Sequence, residues 1–184
     1  GLLKSRNTMA VRAGNAAGLQ NVINTALTAG FPRPNRNPGP TIYLGTWEAS
    51  PLEVAGAFTT FANGGVYNEP RTYIRVTNAD ETEVILENES ESHVAMKETT
   101  AYLMTQMLVN AVNAGTGTQA KFKGMPIAGK TGTTSSSRDK WFCGYTKYYA
   151  AAVWCGYHNP EVIRITSGEN NPAAVLFRKV LQPL

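Results

Sequence analysis

The stretch GMPIAGKTGTT, residues 124–134, decides how the chain is interpreted, because it fits two incompatible structures. From Gly124 to Thr131 it satisfies G-x-x-x-x-G-K-T, the pattern of the phosphate-binding loop in nucleotide hydrolases. That loop needs a helix that begins at its Lys-Thr, so that free backbone amides face the phosphates. Here Gly132, two threonines and three serines follow, and these are poor helix formers. The stretch therefore predicts a strand and argues against nucleotide binding.

On a strand, side chains alternate between faces, so Lys130 and Gly132 would point one way and Thr131 and Thr133 the other. A lysine on the wall of a cleft supplies positive charge for a substrate carboxylate, and threonine hydroxyls donate hydrogen bonds to it. Glycine lets a substrate backbone approach closely. Taken alone, the motif is better explained as an ordinary polar strand end than as a binding site.

A second candidate element is Ser5-Arg6-Asn7, a hydroxyl and a carboxamide two positions apart near the start of the sequence. A short turn before a helix could present both groups to the same cleft. Either residue would also serve as an ordinary helix N-cap. Together with Lys130, 125 positions further on, the pair matches two of the three motifs of serine acyl-transferases, Ser-x-x-Lys, Ser-x-Asn and Lys-Thr-Gly.

Apolar periodicity predicts helices on both sides of a β-rich segment. Helical spacing of apolar residues is found in four segments. The first covers 19–30, and the second runs from a Ser50-Pro51 capping box to Gly64. The third follows Thr99 and Thr100 up to about residue 113, and the fourth covers 172–181 with Asn171 as its cap. A surface hairpin is predicted around residues 73–86, and strands over 126–134, 140–146 and 150–157, the last two as a hairpin. The predicted fold class is α/β of the α+β type, an antiparallel sheet sandwiched by helices.

Composition argues against several classes of function. The net charge of +4 is scattered, with no basic tract interleaved with aromatic residues, so no nucleic acid partner is expected. The two cysteines, Cys143 and Cys155, and the two histidines lack metal-ligand spacing, so neither a metal nor another cofactor is expected. The cysteines are expected to be offset along a hairpin, buried and unbridged. The longest apolar run, 150–155, is too short to span a membrane.

Longer stretches resemble the class A penicillin-binding proteins, the peptidoglycan synthases of high molecular mass. The similar stretches are LLKSRNTMAVR, LGTWEASPLEVAGAFTTFANGGVY, NAGTGTQA, GKTGTTSSSRDKWFCGYT and AAVWCGYHNP, in the family's order. The resemblance implies a D,D-transpeptidase that cross-links stem peptides ending in D-Ala-D-Ala and that β-lactam antibiotics acylate. It also implies a place on the extracytoplasmic face of the bacterial membrane, anchored through sequence outside this chain.

The resemblance assigns roles to individual residues. Ser5 would transfer protons, Asn7 would hold the amide carbonyl of the substrate, and Lys130 would polarise Ser5. Thr131 and Thr133 would bind the terminal D-alanine carboxylate, the backbone N–H of Thr133 would form half of the oxyanion hole, and Gly132 would keep the wall open.

One departure from the family pattern limits what the chain could do alone. No Ser-x-x-Lys precedes Ser5, and the one match in the sequence, Ser137 with Lys140, follows the third motif. We therefore expect residues 1–184 to be the C-terminal part of one transpeptidase domain, whose nucleophile-bearing part is a partner from the same protein. Two alternatives stay open: a β-lactamase-like hydrolase, with Glu48 as a conceivable base, or a non-catalytic module that senses β-lactams or peptidoglycan.

Overall fold

The computed structural model describes residues 1–34, 38–165 and 168–184, and the predicted loop at 35–40 lies partly outside them. Five helices and seven strands follow one another in the described ranges. The helices are α1 (Asn7–Ala17), α2 (Leu19–Thr28), α3 (Pro51–Ala62), α4 (Glu98–Ala114) and α5 (Pro172–Leu181). The strands are β1 (Val66–Asn68), β2 (Arg75–Thr77), β3 (Val84–Glu87), β4 (Ser92–Val94), β5 (Ala128–Thr133), β6 (Lys140–Tyr145) and β7 (Ala150–Cys155).

The main sheet is antiparallel, in the order β5-β6-β7, and helices cover both of its faces. Against one face α5 packs Phe177 onto Phe142 of β6. Against the other, Leu108 of α4 meets Ala128 and Tyr145, with aromatic residues of α3 beside them. The predicted fold class is therefore confirmed.

The predicted strands and hairpin are present in this sheet, and the two cysteines are offset and unbridged as expected, although only Cys143 is buried. Cys143 lies opposite Ala152, while Cys155 lies opposite Lys140, so the two thiols are offset along the ladder. Both are free; Cys143 is buried and Cys155 half-buried.

Local signals set several helix ends as predicted. Ser50 accepts a hydrogen bond from the Glu53 amide, and the Glu53 carboxylate accepts one from the Ser50 amide, which completes the capping box of α3. Asn171 caps α5 by accepting from the amides of Ala173 and Ala174. After α2, Gly30 takes a φ of 94° and the Phe31 amide returns to the Ala26 carbonyl, the pattern of a glycine C-cap.

Other details differ from the sequence-based expectations. Arg6 is the N-cap residue of α1, without a side-chain cap, so neither Ser5 nor Asn7 caps that helix. Thr99 and Thr100 lie inside the first turn of α4, which begins at Glu98. The pairing of β1 with β4 was not predicted, because each strand has three residues and the partners are far apart in sequence.

The hairpin of β2 and β3 is present as predicted and exposes apolar side chains on its surface. Val76 lies opposite Leu86, and they are 42% and 49% exposed, while Ile74 and Ile85 are each more than 60% exposed. In the described part of the chain, no helix is both long and apolar enough to cross a membrane.

Replacing Phe177 tests whether packing against α5 stabilises the main sheet. The Phe177 ring is 1% exposed and meets the Phe142 ring edge-on at 4.7 Å between centroids. Phe177→Ala should lower the free energy of unfolding by about 3–5 kcal/mol, because it leaves a cavity in the core. Leu176→Ala on the same helix, at a side chain 47% exposed, should cost less than about 1 kcal/mol. Thermal unfolding followed by circular dichroism measures both; equal losses would contradict the packing argument.

Candidate active site

The two predicted motifs meet at a hydrogen bond between Lys130 and Ser5, residues 125 positions apart. Lys130 is half-buried on β5, and its ammonium donates to the Ser5 hydroxyl and, at 2.8 Å, to the Thr131 carbonyl. The edge of the main sheet and the N-terminal turn therefore form one site.

A short 3-10 turn, Leu2–Lys4, presents Ser5 with a left-handed backbone. Ser5 has φ 48° and ψ 47°, and its amide donates to the Leu2 carbonyl at 3.1 Å. Such a conformation costs a non-glycine residue roughly 1–2 kcal/mol, so surrounding contacts must hold it. The strained residue is the one that meets Lys130.

The C-terminal end of α4 supplies those contacts. The Thr116 amide donates to the Leu3 carbonyl at 3.2 Å. A Cβ on Gly115 would lie 2.3 Å from the same carbonyl oxygen, so only glycine permits this approach. The turn that carries Ser5 is thus docked on α4.

The backbone groups of Thr131 and Thr133 point away from the sheet. In an antiparallel ladder, residues that exchange hydrogen bonds with the partner strand alternate with residues that do not. The Thr134 amide donates to the Asp139 carbonyl, one position beyond the last pair of the β5–β6 register, so Thr134 is hydrogen-bonded to the partner strand. By alternation, Gly132 and Lys130 are hydrogen-bonded to β6 as well. Because β5 is the edge strand, the amides of Thr131 and Thr133 are directed to its open side, where Lys130 bonds the Thr131 carbonyl.

The remaining predicted site residues differ in their surroundings. The Thr131 hydroxyl donates at 2.8 Å to the hydroxyl of Thr116, a residue of the NAGTGTQA stretch for which the sequence predicted no role. Thr133 is exposed, and within the described ranges its hydroxyl has no hydrogen-bond partner. A Cβ on Gly132 would come within 3.0 Å of the Trp141 side chain, so packing favours glycine there as well.

Asn7 is the first residue of α1, two positions beyond Ser5. Its side chain is exposed and makes no hydrogen bond to any residue that the structure describes. The structure thus brings Ser5, Lys130 and Thr131 together through hydrogen bonds, whereas among the described residues none joins Asn7 to them.

Ser137 and Lys140, the one Ser-x-x-Lys match, do not form a nucleophile site. Ser137 lies in the turn between β5 and β6 with φ 52°, and its carbonyl accepts from the Ile163 amide. In the described ranges no hydrogen bond joins the Ser137 hydroxyl to the Lys140 ammonium.

Burial lowers the pKa of Lys130, although the neighbouring Cys143 opposes this by favouring the charged form. Burial also raises the pKa of the Cys143 thiol to about 12, against the influence of the Lys130 ammonium, so the thiol is neutral. Both hydrogen-bond acceptors of Lys130 are uncharged, and no carboxylate pairs with it among the described residues. A half-buried cation without an anionic partner is an unfavourable arrangement that an anionic ligand would relieve.

The depressed pKa of Lys130 predicts how a Lys130→Met variant behaves. In the wild type, burial makes the protonated form of Lys130 unfavourable in the native state. The free energy of unfolding is therefore lowest at pH values below the native pKa of Lys130, and it rises as the pH approaches 10.5, the ordinary pKa of lysine. Lys130→Met lacks this penalty and should gain most in relative stability near neutral pH.

Thermal unfolding of both proteins from pH 7 to 10.5 measures the difference. The advantage of Lys130→Met should shrink as pH rises, whereas Lys123→Met, at an exposed lysine, controls for the loss of one positive charge. An advantage that grows with pH would show that burial does not disfavour the Lys130 ammonium.

Comparison with known proteins gives concordant results. The family model "Penicillin binding protein transpeptidase domain" matches residues 1–182. Penicillin-binding protein 1A of Clostridium acetobutylicum is 37% identical over 95% of this chain, and penicillin-binding protein 1A/1B of Bacillus subtilis is 35% identical over 98%. The chain spans about a fifth of the length of these relatives, 22% of each.

The fold is also similar to that of solved penicillin-binding proteins. Penicillin-binding protein A of Mycobacterium tuberculosis, solved as an imipenem acyl-enzyme complex, superimposes with a TM-score of 0.79 at 22% identity. That superposition covers 98% of this chain and 46% of the other. The family match covers nearly the whole sequence, and the two relatives are identical to it at more than a third of the aligned positions. Since the fold is shared as well, this chain belongs to the penicillin-binding protein transpeptidase family.

Proposed function

We propose that the intact protein is a peptidoglycan D,D-transpeptidase, which cross-links stem peptides by serine acyl transfer and is acylated by β-lactams. The observation that carries this proposal is the contact between Lys130 and Ser5, where a half-buried cation that no described carboxylate pairs with meets a hydroxyl at the edge of a sheet. Membership of the family supports it, as does the fold shared with a protein solved as an imipenem acyl-enzyme complex.

The reaction would proceed in two steps. The hydroxyl oxygen of a serine in the nucleophile-bearing part attacks the carbonyl carbon of the penultimate D-alanine, and the peptide C–N bond breaks. The serine proton passes to the departing D-alanine nitrogen, which leaves an ester. An amine of a second stem peptide then attacks that ester, the C–O bond breaks, and a proton returns to the serine.

The residues of this chain would bind the donor and move its protons. Ser5 and Lys130 would carry protons between the nucleophile and the leaving nitrogen, and Asn7 would hold the amide carbonyl of the donor. The Thr133 amide, on the open side of β5, would be one of two donors to the oxyanion. The hydroxyls of Thr131 and Thr133 would bind the terminal carboxylate, and Gly132 would leave room for the peptide.

A nucleophile with its Ser-x-x-Lys motif would come from another part of the same protein. We infer that this part also continues the main sheet, because β7 has β6 on one side and no second strand beside it among the described residues. The whole protein would act on the extracytoplasmic face of the bacterial membrane, anchored outside residues 1–184.

A covalent adduct with benzylpenicillin tests the function. The intact wild-type protein should gain the mass of the antibiotic on one serine, and the adduct should persist because deacylation is slow. Lys130→Ala and Ser5→Ala should each slow acylation at least about a hundredfold, because both remove part of the proton path. If the two side chains act as a unit, the double variant should be little slower than either single variant.

Lys123→Ala, at an exposed lysine, is the matched control and should acylate like the wild type. An intact protein that forms no adduct would overturn the proposal. Steady turnover of nitrocefin in place of a lasting adduct would favour the β-lactamase-like alternative.

A further inference from the structure

Thr116 touches both halves of the site through different groups. Its backbone amide donates to the Leu3 carbonyl in the turn that presents Ser5, and its hydroxyl lies 2.8 Å from that of Thr131 on β5. The hydroxyl points towards the strand on which Lys130 lies.

The backbone around Thr116 is held firmly. The amides of Gly115 and Gly117, on either side of it, both donate to the Ala111 carbonyl at the end of α4, at 3.1 and 3.0 Å. Gly115 is packed against Leu3 too tightly for a side chain. Since the backbone is fixed independently of the side chain, the Thr116 hydroxyl can be removed without releasing the Ser5 turn.

The Thr116–Thr131 pair has one hydrogen-bond donor to spare. Each hydroxyl carries one proton and two acceptor lone pairs, and the bond between the two oxygens uses one proton. The Thr131 hydroxyl donates to the Thr116 oxygen, so the proton of the exposed Thr116 hydroxyl is the one left for a third group. In that arrangement the first bond polarises and strengthens the second.

Around Lys130, Thr131 and Thr133, the described residues provide no anionic acceptor. The Lys130 ammonium is half-buried, bonded only to neutral oxygens and without a carboxylate partner in the described ranges. The exposed Thr133 hydroxyl lies two residues along the strand from Thr131. A carboxylate at this edge would meet a positive charge and an ordered set of hydroxyl donors.

We propose that Thr116 donates its hydroxyl proton to the terminal carboxylate of the acyl donor, and that Thr131 acts on the carboxylate through Thr116 by donating to the Thr116 oxygen. The inference rests on the proposed function and adds to it a residue just beyond the end of α4, outside the three motifs.

The test compares two acyl donors on the intact protein. One is an acyl-D-alanyl thioester whose leaving group ends in a carboxylate, and the other carries a carboxamide at the same place. The wild type should prefer the carboxylate donor in kcat/KM. Thr116→Val, which keeps the branched shape and the backbone amide, should reduce that preference about tenfold, the effect of losing one hydrogen bond to a charged group.

Thr116→Ser keeps the hydroxyl and should retain the preference within about twofold of the wild type. Because both donors meet the same folded protein, partial unfolding of a variant cancels in the ratio. A preference that is unchanged in Thr116→Val, or that Thr116→Ser fails to restore, overturns the inference while leaving the proposed function intact. A wild type that turns over neither donor and is not acylated by penicillin overturns both.

Discussion

The site depends on keeping one lysine ammonium partly out of water beside a serine hydroxyl. Among the described residues Lys130 bonds only neutral oxygens, and burial lowers its pKa, so these residues do not balance the charge of the ammonium. Ser5, its partner, has a left-handed backbone that also disfavours the native state. Both features lower the stability of the native state. Their presence at one contact is expected where a bound ligand supplies the missing interactions.

Two rigid elements keep that contact in place. β5 belongs to a sheet whose core includes the fully buried rings of Phe142 and Phe177. α4 packs against the same sheet, with a 2.7 Å hydrogen bond between the Thr105 and Tyr145 hydroxyls, and its C-terminal end docks the turn that carries Ser5. Ser5 and Lys130 are therefore fixed relative to each other through the core, although each lies on the surface. A loop alone could not hold a left-handed serine against a lysine in this way.

Sequence alone predicted the parts of the fold that short-range chemistry determines. The Ser50 capping box, the Asn171 cap and the β6–β7 hairpin follow from neighbouring residues and were found where predicted. The β1–β4 pair was missed, since a three-residue strand leaves no clear alternation and its partner is remote in sequence. For the site, spacing suggested the residue types, but the Ser5–Lys130 contact required a fold that joins positions 125 apart. Thr116 was missed because its role depends on what α4 meets at its end.

The edge position of β5 explains how one strand can carry so many functional groups. A strand inside a sheet spends every backbone amide and carbonyl on its two neighbours, whereas an edge strand leaves every second residue unpaired. On β5 these are Thr131 and Thr133, so their backbone amides and carbonyls are directed to the open side of the strand. An exposed edge is ordinarily a risk for aggregation. Here the Lys130 charge and the Ser5 turn lie beside this edge, and a lysine on an edge strand disfavours pairing with another β-strand.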